Sequence, residues 1–310
     1  MILRRPTFIR PLCRAAVQVV RPVRGVLGLA VGILLALYVL AVCTTRGQLT
    51  ENAAVLGSDS AHADPAWAQN ALATIADDRS LFIAMAVVAL LGWQQRRLLV
   101  GAVAAATMLA ANISTQVLKN LVFVRPDLVL DPEVGTGNSL PSGTVTFLLS
   151  TALGLVMVLS HSPVAPPLKF ILPGVAIAAG CATIGLDWHR PADVQAGVIV
   201  VVASFVIARS ALARLDGYTT LDQRPMLACL IGGGAVTVLP WVAVALAPVF
   251  PGDVTAHGTL VYFVSIVVVA VCSVLTVAPL VSLLGRTAVC TPAERSEVGD
   301  DAAEMALQTV

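Results

Sequence analysis

Long apolar segments alternate with short polar ones along almost the whole chain of 310 residues. A helix that crosses a bilayer needs about 20 apolar residues, or fewer where polar anchors flank a short span. Eight segments of the chain come close to this requirement, and they predict eight membrane-spanning helices. They lie at about 25–44, 81–95, 98–118, 144–160, 170–187, 192–212, 226–250 and 259–284.

The composition supports a membrane protein. Hydrophobic residues make up 57% of the chain and charged residues only 12%, whereas a soluble domain has about 25% charged residues. The predicted fold class is therefore all-α, a polytopic transmembrane helical bundle. The net charge is +1 and no long basic run occurs, so no nucleic-acid partner is predicted. The six cysteines form no CxxC pair, which favours small buried side chains over metal or disulfide roles.

The distribution of Lys and Arg predicts the orientation, because cytoplasmic loops are enriched in both. The segment 1–24 is basic and carries no acid, and the apolar stretch after it is longer than the core of a cleaved signal peptide. With that segment inside, both termini are cytoplasmic in a multi-pass protein of the plasma membrane. The acidic tail 285–310 is then predicted to be disordered in the cytoplasm. Of the 19 Lys and Arg, the outer side keeps only Arg46, Arg79, Lys119, Arg125 and Arg190.

Two outer segments are too polar or too rich in turn residues to span. Residues 45–80 are predicted to be an outer loop, in which Trp67 to Ile75 can form a short interfacial helix. Residues 119–143 are rich in Pro, Gly, Asp and Asn and are predicted to be a second loop.

Candidate anion-binding groups lie at both ends of this second loop. Lys119 and Arg125 supply positive charge after the third span, and the Pro141-Ser142-Gly143 turn with Thr144 opens the fourth. Backbone N–H groups at a helix N-terminus attract anions. Two ordinary interpretations stay open: Lys119 as a snorkelling anchor, and Ser142 or Thr144 as a simple N-cap.

A histidine and a carboxylate border the sixth span. His189 and Asp193 are four residues apart, with Arg190 and Pro191 between them. If a helix begins near Pro191, Asp193 can reach the imidazole, fix its tautomer and leave its other nitrogen free to attack. A structural histidine at an interface is the alternative. Cations, oriented amides and a nucleophile on one membrane face together predict a site that holds and attacks a phosphate.

These stretches resemble the type 2 phosphatidic acid phosphatase family, over roughly residues 80–212. That family has a six-helix membrane core and three motifs: lysine, six residues and Arg-Pro; Pro-Ser-Gly-His; and Ser-Arg, five residues, His, three residues and Asp. The matching stretches are Lys119 to Pro126, Pro141 to Thr144 and Ala182 to Asp193.

The resemblance implies a role for each matching residue and implies no metal or cofactor. His189 would be the nucleophile that forms a phosphohistidine, and Asp193 would orient it. The phosphoryl group would be bound by Lys119, Arg125, the amides of Ser142 and Gly143, and the neighbouring Thr144 and Arg190.

Three departures from the family pattern affect the expected chemistry. The gap between Lys119 and Arg125 holds five residues instead of six; Thr144 replaces the histidine that protonates the leaving group; and Thr183 replaces the motif arginine, for which Arg190 can partly substitute. An alkoxide needs a proton to leave, whereas phosphate, with a second pKa near 6, does not. No residue of the chain obviously replaces the acid, although His62 and His257 are predicted on the outer face and could approach it, whereas His161 is predicted on the inner side. The sequence therefore predicts a preference for lipid diphosphates over lipid monophosphates.

The predicted organisation is a basic N-terminus (1–24), a six-helix core (25–212), two further helices (213–284) and the tail (285–310). The predicted function is hydrolysis of a lipid phosphate or diphosphate, of polyprenyl type, at the outer leaflet. The partners would be this lipid and the bilayer, with a cell-envelope enzyme or a second copy as a further partner. A degenerate relative that binds phosphorylated lipid without hydrolysis is the main alternative, and a lipid transporter is a third.

Overall fold

The protein is described here from a computed structural model, in residues 24–60, 66–75, 78–129, 137–160, 165–215, 224–246 and 257–284. All regular secondary structure in these ranges is helical, as the sequence predicts. Ten helices lie in the described residues. They are α1 (Arg24–Val42), α2 (Thr45–Ser60), α3 (Ala66–Ile75), α4 (Asp78–Gln94), α5 (Leu98–Val117), α6 (Gly143–Leu159), α7 (Ala165–Gly185), α8 (Pro191–Leu215), α9 (Arg224–Leu246) and α10 (Gly258–Leu284).

Apolar helices lie at all eight positions where the sequence predicts a span. Among the described residues, five helices are long and apolar enough to cross a membrane, namely α1, α5, α7, α8 and α10. The apolar parts of α4, α6 and α9 are shorter. Several long apolar helices of this kind are characteristic of a multi-pass membrane protein.

Helix α8 lies in the middle of the bundle. In its apolar window 89% of the residues are buried, whereas the windows of the other four long helices are 33% to 44% buried. Buried residues of α8, α6 and α10 belong to one hydrophobic core, for example Phe205, Leu153 and Leu280. The last helix therefore shares its core with the helices that precede it.

The prediction that residues 45–80 form a loop is wrong for the first part of this segment. It contains α2, and the predicted short helix near Trp67 to Ile75 is present as α3. Helix α2 packs against α10 and also touches α7, α8 and α9. It has too little apolar character to count as a span, and its buried polar side chains are Gln48, Glu51, Asn52 and Ser58. The polarity that suggested a solvated loop is thus enclosed by neighbouring helices.

Glycine permits the closest approach between α2 and α10. A Cβ atom at Gly57 would overlap the carbonyl group of Gly258, so the two backbones touch at this point. Since α2 lies against the N-terminal end of α10, this contact helps to fix the position of the polar side chains of α2.

Two local features position the start of α8. Asp187 has a left-handed φ of 56° and reverses the chain after α7. The amide of His189 then donates to the carbonyl of Thr183 at 3.2 Å. Helix α8 begins at Pro191, where the missing N–H of proline costs nothing because that position has no intrahelical acceptor. The turn thus holds His189 close to the first turn of α8, where Asp193 lies.

Candidate functional site

His189 and Asp193 lie side by side at the buried N-terminal end of α8. Nδ1 of His189 is 3.8 Å from Oδ2 of Asp193, and the two side chains are 9% and 0% exposed. This is an ion-pair distance and is longer than a hydrogen bond. The predicted approach of the carboxylate to the imidazole is therefore present, without the direct hydrogen bond that would fix the tautomer.

Other donors occupy the Asp193 carboxylate. Its Oδ2 accepts the backbone N–H of Arg190 at 2.8 Å and the hydroxyl of Ser139 at 2.6 Å. The first is the usual arrangement for an acid in the first turn of a helix, where it also meets the positive end of the helix dipole. Ser139, which belongs to none of the three motifs, thus directly supports Asp193.

The turn before α6 is joined to α8 through its backbone. The amide of Ser142 donates to the carbonyl of Asp193 at 2.9 Å, and the hydroxyl of Ser142 accepts from the amide of Val145 at 3.2 Å. Ser142 is therefore the N-cap of α6, and its own N–H is already used. The amides of Gly143 and Thr144 begin the helix, where N–H groups lack intrahelical acceptors.

Arg190 places a cation close to the Asp193 carboxylate and Ser139. Its Nη1 donates to the hydroxyl of Ser139 at 3.1 Å and to the carbonyl of Gly137 at 3.4 Å, and the residue is buried. Burial, and then the nearby charge of Arg125, lower the pKa of the Arg190 guanidinium below its ordinary value. The two arginines are therefore near enough to repel one another, an arrangement that an anion between them would relieve.

Arg125 makes a buried ion pair with Glu51 of α2. Its Nη1 lies 2.9 Å from Oε2 of Glu51, and the side chains are 4% and 0% exposed. The other terminal nitrogen, Nη2, and the other carboxylate oxygen, Oε1, have no hydrogen-bond partner within the described residues. The pair thus keeps one donor and one acceptor for a further group.

Glu51 is strongly affected by its surroundings. Burial raises the pKa of its carboxyl group from 4.5 to about 7, although Arg125 lowers it in part. The charge of Asp193 raises this pKa further and that of Arg190 lowers it. Glu51, Arg125, His189, Arg190 and Asp193 therefore form one electrostatically connected group, named here the polar cluster.

Glu51 was missed in the sequence because it lies in a region predicted to be a loop. A signal was nevertheless present. Gln48, Glu51, Asn52, Val55 and Ser58 recur at helical spacing, which places them on one face of a helix. Three uncharged polar side chains and one acid are thus buried in α2, beside the apolar Ala53, Ala54 and Val55.

The side chains at two of the motif positions, Lys119 and Thr183, supply no charged contact to the polar cluster. The carbonyl of Lys119 accepts from Asn138 at 2.7 Å, but its ammonium group makes no ion pair or hydrogen bond with the described residues. Thr183, at the position of the motif arginine, donates its hydroxyl to the carbonyl of Gly180 at 2.6 Å and supplies no charge. His62 and His161 lie outside the described residues.

An apolar cavity of about 550 Å³ lies between α2, α8, α9 and α10. Pro191, which follows Arg190, lines it together with side chains of α2, α8, α9 and α10. Leu260 and Val264 of its wall are 61% and 52% exposed, which indicates a lateral opening on the outside of the bundle. His257 also lines this cavity and so lies in its wall.

No group of three or more His, Cys, Asp or Glu side chains converges as a metal site would require, as far as the described residues extend. Comparison of the chain with protein-family models, with curated proteins and with solved structures finds no match. The resemblance to the phosphatase family therefore depends on the three short motifs alone.

Proposed function

We propose that the protein is a membrane lipid phosphatase that hydrolyses a lipid phosphate or diphosphate through a phosphohistidine at His189. The observation that supports this most directly is the polar cluster itself. It brings together an imidazole, two guanidinium groups and a helix N-terminus, and Pro191, the residue after Arg190, lines the apolar cavity. The site would lie at the outer leaflet and both termini in the cytoplasm, in agreement with the positive-inside pattern of Lys and Arg.

Phosphate binding would use donors that the fold already holds in place. Arg125 has Nη2 available, Arg190 lies close to Arg125, and the amides of Gly143 and Thr144 lie at the start of α6. Arginine suits this role because its planar donors match pairs of phosphate oxygens. Two cations in a buried setting act more strongly on a phosphoryl group than they would in water.

The reaction would proceed in two displacements at phosphorus. A nitrogen of His189 attacks, the N–P bond forms, and the P–O bond to the lipid or to its inner phosphate breaks. Water then attacks the phosphohistidine, the N–P bond breaks, and inorganic phosphate is released. Asp193, 3.8 Å from the imidazole, stabilises the positive charge that the ring acquires, while the arginines stabilise charge on the phosphoryl oxygens.

The cavity supports a lipid rather than a soluble substrate. Its volume is within the range of small-molecule sites, its wall is almost entirely apolar, and its exposed residues Leu260 and Val264 belong to a long apolar helix. A hydrocarbon chain can enter from the side while the phosphate remains at Pro191 and the polar cluster.

The test is release of inorganic phosphate by purified protein in detergent, with a polyprenyl diphosphate and the monophosphate of the same chain length. We expect turnover by the wild type and a loss of at least about 10³-fold in His189→Ala, because the nucleophile is removed. His161→Ala is the matched control, since the sequence predicts this histidine between the fourth and fifth spans, on the cytoplasmic side, and the variant should keep its turnover. Absence of turnover in the wild type, or equal turnover in His189→Ala, would refute the proposal.

Two specific observations also favour a second candidate function, binding of phosphorylated lipid without hydrolysis. The 3.8 Å separation of His189 and Asp193 and the uncharged Thr183 are compatible with a protein that binds phosphorylated lipid without cleaving it. Such a protein would bind the lipid with equal affinity in the wild type and in His189→Ala and would release no phosphate. The same assay, with lipid binding measured alongside, separates the two functions.

A further inference from the structure

The second motif lacks the histidine that would protonate the leaving group, and Thr144 at that position cannot do so at neutral pH. The polar cluster contains a different acid. Glu51 comes from α2, far from all three motifs in sequence, and its carboxylate is fully buried against Arg125. Of the two oxygens, Oε2 binds Arg125, and Oε1 has no hydrogen-bond partner within the described residues.

We infer that Glu51 is the general acid of this site, which protonates the oxygen of the departing lipid alcohol. The inference rests on the proposed phosphatase function and supplies the group that the motifs lack. It also changes the substrate class expected from the sequence, because lipid monophosphates become substrates as well as diphosphates.

The ion pair with Arg125 explains how a carboxylate can become an acid when substrate is present. In the protein alone, Arg125 favours the ionised form of Glu51, and burial opposes it. A bound phosphate would share the charge of Arg125 and bring a second negative charge beside Glu51. Both effects favour the protonated form, so binding of the substrate itself would load the proton.

The charges of neighbouring ionisable groups also shift the pKa of Glu51. Asp193 disfavours its ionised form, whereas Arg190 favours it. Before substrate binds, burial already raises the pKa of Glu51 to about 7, so a proton is accessible at neutral pH. Among the described residues, the charged groups that act on Glu51 are Arg125 after α5, Arg190 before α8 and Asp193 on α8.

The proton balance closes over both displacements. In the first, the Glu51 carboxylic acid gives its proton to the lipid oxygen as the P–O bond breaks and the N–P bond to His189 forms. The resulting carboxylate is again paired with Arg125. In the second, that carboxylate takes a proton from the attacking water as the new O–P bond forms and the N–P bond breaks. Glu51 is then ready for another cycle.

The ordinary alternative is that Glu51 only holds Arg125 in place. A purely structural pair would affect every substrate equally, whereas a general acid affects a substrate according to the basicity of its leaving group. An alkoxide needs the proton and an inner phosphate does not. The two roles therefore differ in a ratio of rates rather than in a single rate.

The experiment compares Glu51→Gln with the wild type on a polyprenyl monophosphate and on the diphosphate of the same chain. Glutamine keeps the size of the side chain and an oxygen that can accept from Arg125, but it carries no acidic proton. We expect kcat/KM for the monophosphate to fall by about 10²-fold or more, and that for the diphosphate by less than about tenfold. Glu51→Asp, which keeps an acid, should recover part of the monophosphate activity.

Gln48→Met is the matched structural control. Gln48 lies one turn before Glu51, is buried, and donates to the carbonyl of Pro126 at 2.6 Å, so its loss disturbs the segment that carries Arg125 without removing an acid. Any decrease in this variant should be the same for both substrates. An equal decrease for both substrates in Glu51→Gln would overturn the inference, and so would no decrease for either.

The wild type alone provides a second readout that does not depend on folding of the variant. Above the pKa of Glu51, kcat/KM for the monophosphate should fall about tenfold per pH unit, and kcat/KM for the diphosphate should not. Parallel profiles for the two substrates would overturn the role of Glu51 and leave the phosphatase proposal intact. A wild type that cleaves neither substrate would instead refute the phosphatase proposal and, with it, this inference.

Discussion

Glu51 and Arg125 meet at 2.9 Å, although 74 residues separate them in the chain and both side chains are buried. Their contact joins α2 to the segment that follows α5. Because a buried charge is costly without a partner, each residue restricts where the other can lie. The position of Arg125 at the candidate site therefore depends on a helix that carries none of the three sequence motifs.

Removal of Arg125 should destabilise the protein more at high pH than at low pH. Arg125→Gln leaves the Glu51 carboxylate buried without its cation, which we expect to cost about 3 kcal/mol at pH 8. At pH 5 the carboxyl group is protonated and the loss should be smaller. Unfolding in detergent of the two single variants and of Glu51→Gln with Arg125→Gln gives the coupling energy. Additive effects would contradict the pair.

The raised pKa of Glu51 makes the stability of the wild type depend on pH. Between its ordinary value of 4.5 and about 7, the folded protein holds a proton that the unfolded chain has lost. The contribution of Glu51 to stability therefore falls as pH rises through this window, by about 3 kcal/mol in total. We expect the unfolding temperature of Glu51→Gln, relative to the wild type, to be higher at pH 8 than at pH 5. A constant difference would refute this.

Filling the apolar cavity should affect long-chain substrates selectively. Val268 lines the cavity on α10, and its neighbour Val267 does not and is 60% exposed. Burial of each methylene contributes about 0.8 kcal/mol, so Val268→Trp should raise KM for a long prenyl phosphate by about tenfold or more. A short-chain phosphate should be little affected. Val267→Trp, with the same change in size, is the control, and equal effects in both variants would exclude the cavity as the lipid site.

The glycine contact between α2 and α10 should be sensitive to a single methyl group. In Gly57→Ala the new Cβ would overlap the carbonyl of Gly258, and overpacking of this kind costs about 1–3 kcal/mol. Alanine is intrinsically better in a helix, by up to about 1 kcal/mol, so the net effect should still be a loss. Gly232→Ala on α9, where a Cβ meets no heavy atom within 4 Å, should be neutral or stabilising. Thermal unfolding of both variants in detergent measures the difference.

The sequence by itself determined the features that depend on nearby residues. A long apolar stretch specifies a membrane helix because the requirement for backbone hydrogen bonds in lipid is met within the segment itself. The eight apolar helices were therefore predictable. The four-residue spacing of His189 and Asp193 at a helix start likewise predicted that the two side chains approach one another, and they lie 3.8 Å apart.

Only the tertiary structure decided which polar groups share the site. It enclosed the polar face of α2 among apolar helices and brought Glu51 to Arg125, placed the hydroxyl of Ser139 on Asp193, and left the ammonium of Lys119 without a partner among the described residues. No local pattern encodes these outcomes. A polar stripe at helical spacing is compatible both with exposure to water and with burial inside a protein. Which of the two occurs is decided by residues far away in the chain, because a desolvated charge is tolerated only where another element supplies its counterion.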